Sequence, residues 1–180
     1  MNLPDIKKHD LLFESQIPKT IDTFIQGWYT SVSKLEKMCK QDPAFGEVFL
    51  STYKKDYSQD FKFKDILTNL KTLCYDLDVF SQTTSKFTNK KFSFRNPLYR
   101  IPKSERIQVG ENKLQELDEI KEILANTKQK MKNQILDIQL NWKDKSRDKF
   151  FSRMNYFANC INSLSLCCEK TQKQIQTTKR

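Results

Sequence analysis

A 180-residue chain with 30% charged and 37% hydrophobic side chains, three glycines and five prolines is too poor in turn residues for a sheet protein and reads as one all-α domain. No apolar run approaches the roughly 18 residues needed to span a bilayer, so a transmembrane protein is excluded and any membrane contact must be peripheral. The formal net charge of +10 points to an anionic partner.

Residues 1–14 are polar with little period and read as a flexible lead-in. A first helix is expected over 15–41, with Pro18 tolerated in its first turn and a stripe of Ile21, Phe24, Ile25, Trp28, Val32, Leu35 and Met38. Asp42-Pro43 interrupts it, because a residue before proline avoids the α region and Pro43 suits the start of a new helix. The spacing permits either two helices or one helix kinked at Pro43, reaching about Tyr57 through Phe45, Val48, Phe49 and Tyr53. After a turn at Ser58-Gln59-Asp60, a further helix is expected from Phe63 to Phe87, with Ile66, Leu67, Leu70, Leu73, Cys74, Leu77 and Phe80 on one side.

Residues 89–103 cannot continue as regular helix through Pro97 and Pro102, and read as a loop at one end of the bundle. Between positions 86 and 106, Lys86, Lys90, Lys91, Arg95, Arg100, Lys103 and Arg106 face one acid, Glu105. Phe92, Phe94, Leu98 and Tyr99 are interleaved with them. A solvated loop explains such a stretch, but lysine and arginine near an acidic bilayer each contribute about 1 kcal/mol, with aromatics settling at headgroup depth.

The last stretch begins at Ser104, a candidate N-cap. Ile107, Leu114, Leu117, Leu124, Met131, Ile135, Ile138 and Trp142 mark the first half of its stripe, and Phe150, Met154, Phe157, Ile161, Leu164, Cys168 and Ile175 the second. Steps of three and four make a coiled-coil-like seam. As one helix it would reach roughly 110 Å at 1.5 Å per residue. It could break at Asn126-Thr127 or in the polar stretch 143–149, but neither carries a strong stop signal. The expectation is therefore an unbroken rod, too long for its own chain to cover, that pairs with a second chain. Residues 177–180 form a short tail.

Catalytic chemistry has little to work with. The single histidine, His9, lies in the lead-in, and Asp118, Glu119 and Glu122 read as ordinary surface charges of a helix. Neither a glycine-rich phosphate loop nor a cysteine–histidine metal spacing occurs, so no enzyme, cofactor or metal is expected. Cys39, Cys74, Cys160, Cys167 and Cys168 contain no C-x-x-C pair and cannot all pair internally. With a polar start and no N-x-S/T site, a reduced cytoplasmic setting fits, the cysteines serving as packing. The adjacent pair Cys167-Cys168 leaves palmitoylation as an alternative.

The run Leu140-Asn141-Trp142-Lys143-Asp144-Lys145-Ser146-Arg147-Asp148-Lys149-Phe150, followed by Met154, Tyr156-Phe157-Ala158 and Ile161, resembles the last helix of the BAR domain of sorting nexins. The likeness covers residues 130–170, and over 15–87 the chain is compatible in length and period. No phosphoinositide-binding PX domain precedes the helices, and the second leg is short for that family. The resemblance implies an elongated three-helix antiparallel bundle over 15–176 that forms a homo- or heterodimer with a BAR-like chain. Trp28, Val32, Leu35, Phe150, Met154, Phe157, Ile161 and Leu164 would line its dimer interface. Membrane-binding residues would be Lys86, Lys90, Lys91, Phe92, Phe94, Arg95, Arg100 and Lys103 of a tip loop over 89–103, with Lys143 and Arg147. The implied function is vesicle or endosomal sorting on curved acidic membranes. Two further readings stay open: a coiled-coil interaction subunit of a tethering or cytoskeletal complex without lipid binding, and a basic helical nucleic-acid binder.

Overall fold

Pro18 fixes its backbone torsion at the start of the first helix, where its missing N–H costs nothing, and α1 runs Ile17–Gln41. The computed structural model describes residues 16–77, 109–139 and 146–178, and these are mainly helical with no strand among them. At Asp42 the backbone swings to φ −132°, ψ 91°, as the following proline demands, and α2 begins as Pro43–Thr52. The bend expected at Pro43 is thus a full break. Asp42 caps the new helix, its Oδ1 accepting from the Phe45 N–H at 3.1 Å, while its Oδ2 accepts from the Gly110 N–H at 2.8 Å, 68 residues away. Asp42→Ala leaves both N–H groups without that partner. It should cost about 1–2 kcal/mol in urea unfolding, the upper range for a lost N-cap.

α2 widens into a π-helical turn, Tyr53–Tyr57, pinned by the Tyr53 hydroxyl donating to the Phe61 carbonyl at 2.8 Å. α3 follows as Phe63–Asp76. Its backbone leaves helical geometry at Leu77, whose N–H still bonds Leu73 O. The expected continuation to Phe87, including Phe80, lies outside the described residues.

The final rod is not one helix. α4 spans Asn112–Gln139 and α5 spans Ser146–Thr178, and they lie antiparallel. Gln172 Nε2 reaches Leu114 O at 3.0 Å and Asp118 Oδ1 at 2.7 Å, and Lys128 Nζ reaches Asn162 Oδ1 at 2.8 Å, so residue sums across the pair stay near constant. The reversal lies between Gln139 and Ser146, overlapping the candidate stretch 143–149, and Asp148 in the first turn of α5 suits the positive helix end there. The proposed cap Ser104 lies outside the described residues.

Folding back lets the two half-stripes cover each other and α1. Leu117, Ile120, Leu124, Met131 and Ile138 are buried on α4, as are Phe150, Met154, Phe157, Ile161, Leu164, Cys168 and Ile175 on α5. Leu114 and Ile135 are only partly covered, whereas Ile120, absent from the expected stripe, is fully buried. α1 runs antiparallel to α4: Gly27 abuts Thr127, Lys34 Nζ stands 3.8 Å from Glu119 Oε2, and Asp42 bonds Gly110. The α2–α3 segment runs antiparallel to α5, through Thr52 with Gln174, Asp56 with Lys170 and Asn69 with Arg153.

An aromatic spine joins the layers. Phe157 of α5 stacks on Phe24 of α1 at 4.4 Å, Phe24 on Trp28 at 5.7 Å, and Trp28 meets Phe61 edge-on at 5.8 Å. Tyr53 closes it at 5.1 Å from Phe61 and 5.3 Å from Phe63.

Two expectations are corrected here. Trp28, Val32, Leu35, Phe150, Met154, Phe157, Ile161 and Leu164, assigned above to a dimer interface, are at most 2% exposed within one chain. They are core residues, because the hairpin supplies the partner surface that a straight rod would lack. The architecture is also not a three-helix bundle with a single very long last helix. It is a bundle of four packed helical rods, with α2–α3 forming one segmented rod.

Candidate functional site

Both α3 and α4 run antiparallel to α5, so they are parallel to each other. The described residues that flank 78–108, Leu77 and Val109, therefore lie toward opposite ends of α5. Asn69 bonds Arg153 near the start of α5, and α3 runs on from there for about a further 10 Å at 1.5 Å per residue. Gly110 and Leu114 instead sit beside Asp42 and Gln172, near the other end of α5. The two flanks are about 40 Å apart along the bundle by helical rise. The tip-loop expectation for 89–103 falls on residues outside the described ones.

Lys86, Lys90, Lys91, Phe92, Phe94, Arg95, Arg100, Lys103 and Lys143 all lie outside the described residues. The remaining member of that set, Arg147, is partly exposed in the first turn of α5, its guanidinium 5.3 Å from the centroid of Phe151. Phe150, next to Phe151 in the chain, is fully buried. Arg153, further along α5, donates to Asn69 Oδ1 on α3. Arg147 and exposed Lys149 add positive charge to a helix end that is already positive, and Asp148 offsets part of it.

The charge is unevenly shared. The described residues hold 19 basic and 16 acidic side chains out of the chain's 32 and 22. The helical bundle is close to neutral, and most of the net +10 lies elsewhere, chiefly between 86 and 106.

Two acidic residues of α4, Asp118 and Glu119, link it to neighbouring helices. Asp118 accepts from Gln172 Nε2 at 2.7 Å and stands 3.4 Å from Lys121 Nζ. The Gln172 hydrogen bond, helped by Lys121, holds its carboxyl below the ordinary value. Glu119 pairs with Lys34 of α1 across 3.8 Å. A groove between α1 and α4, lined by Lys34, Lys37, Met38, Gln41, Glu116 and Glu119, encloses about 190 Å³. Small-molecule sites usually enclose about 300–1,000 Å³, so this groove is undersized for one. Among the described residues no cluster of three or more His, Cys, Asp or Glu side chains is arranged to hold a metal.

All five cysteines are buried free thiols, as packing requires. Burial pushes Cys39, Cys74 and Cys167 up to about 12 and Cys160 to about 11, and Cys168 well above its usual 9.0. Cys167 and Cys168 are 0% exposed, so an acyl chain could reach neither without unfolding that part of α5. A raised folded-state pKa favours the folded state fully below the unfolded value. That contribution is lost as pH climbs from about 9 toward 12. Urea midpoints should fall across that window, and less so when Cys39 and Cys167 are both replaced by alanine. An aromatic disulfide reagent at neutral pH should label the native chain slowly and the urea-unfolded chain at five sites.

Sequence reading missed two structural residues. Asp42 appeared only as an interruption, although Asp-Pro is itself an N-cap followed by N1 proline. Gly27 was passed over, although a lone glycine inside a helical pattern often marks close packing.

The described structure thus defines an all-helical bundle of four packed rods, α1, α2–α3, α4 and α5. Among the described residues no helix is long and apolar enough to cross a membrane. Comparison with protein-family models, curated proteins and solved structures returns no match.

Proposed function

We propose that this chain is a non-catalytic binding module in which a nearly neutral helical bundle presents a strongly basic, aromatic-bearing segment to an acidic membrane surface. The observation that carries this reading is the charge partition: seven basic residues against one acid between 86 and 106, beside a bundle holding 19 basic and 16 acidic side chains. With the described bundle nearly balanced in charge, most of the excess positive charge resides outside it and can serve an external anion. The interleaved Phe92, Phe94, Leu98 and Tyr99 favour a lipid surface over a purely polar polyanion, since headgroups overlie an apolar layer where these rings can settle. This reading does not rest on the elongated rod that the sorting-nexin resemblance implies, since α4 and α5 lie antiparallel.

The test is co-sedimentation with vesicles of neutral phosphatidylcholine alone and with added phosphatidylserine. The native chain should pellet only with the anionic vesicles and lose binding as salt rises. Reversing Lys90, Lys91, Arg95 and Arg100 to glutamate should abolish pelleting, with the helical circular-dichroism signal unchanged. If the reversed variant still pellets, the basic segment is not the contact. If the native chain ignores anionic vesicles but shifts DNA or RNA in a salt-dependent way, the partner is nucleic acid. Failure with both directs the search to a protein partner.

A further inference from the structure

We draw no further inference here: the strongest candidate, the side-chain cluster of the Trp28 indole Nε1 and the Ser31 hydroxyl on the buried face of α1, leaves two polar groups without a partner among the described residues, and nothing in the structure shows what would occupy a site beside them.

Discussion

Phe157→Ala should lower stability by about 3–5 kcal/mol, the range for deleting a buried aromatic ring. Phe157 is 0% exposed and stacks on Phe24 at 4.4 Å, and Phe24 in turn carries Trp28. The cavity would open where α5 meets α1, between residues belonging to two long helices. Neither can collapse into it without shifting contacts along its whole length. Urea unfolding of the purified chain measures the loss. The same experiment separates an intrachain core from an intermolecular seam. In a single-chain core the unfolding midpoint is independent of protein concentration, whereas at a dimer seam it rises with concentration. Tyr75→Ala provides the contrast, since Tyr75 is 75% exposed and its loss should stay within about 0.5 kcal/mol. A Phe157→Ala variant as stable as Tyr75→Ala would remove the spine from the core.

Much of the fold could be read from local pattern. The stripe from Phe150 to Ile175 is buried position by position, because a 3.5-residue repeat shows which face must be covered whatever covers it. Pro18 and Asp42-Pro43 were readable for the same reason, since proline constrains its own backbone and its predecessor. What stayed hidden was long-range. A heptad-like stripe is equally satisfied by another chain or by its own continuation folded back. Residues 139–146 contain no glycine or proline to force the turn. The choice was settled by packing: Gln172 reaching Leu114 and Asp118, and Lys128 reaching Asn162.

Charge told a similar story for the candidate site. Which residues are basic, and that they cluster between 86 and 106, is a property of the sequence alone. Where the segment enters and leaves the bundle depends on helix direction. That is fixed by contacts such as Asn69 with Arg153, which no periodicity announces. Arg153 shows the limit most plainly. In sequence it is one more basic residue of a positively charged stretch, yet its guanidinium joins α5 to α3.

Gly27→Ala should destabilise the chain by about 1–3 kcal/mol through overpacking, against the usual direction for this exchange. At an open helical position alanine gains about 1 kcal/mol over glycine. At position 27 an added Cβ would lie 1.9 Å from Thr127 Oγ1, 2.5 Å from Cγ2 and 2.7 Å from Cβ. The Thr127 hydroxyl donates to Ile123 O at 2.7 Å, which holds the side chain in place, and its Cβ is fixed to the α4 backbone. Relief therefore requires α1 and α4 to move apart, loosening the layer that contains Trp28 and Leu124. A double-mutant cycle isolates the contact. Thr127→Ala removes two of the three clashing atoms but keeps Cβ, so it should rescue Gly27→Ala only in part. Thr127→Gly removes all three and should rescue further, although it weakens α4 when made alone. Thermal or urea unfolding of the three single and two double variants supplies the coupling. If Gly27→Ala proves stabilising, α1 and α4 do not cross closely at this point, and the antiparallel pairing of those two helices would need a different register.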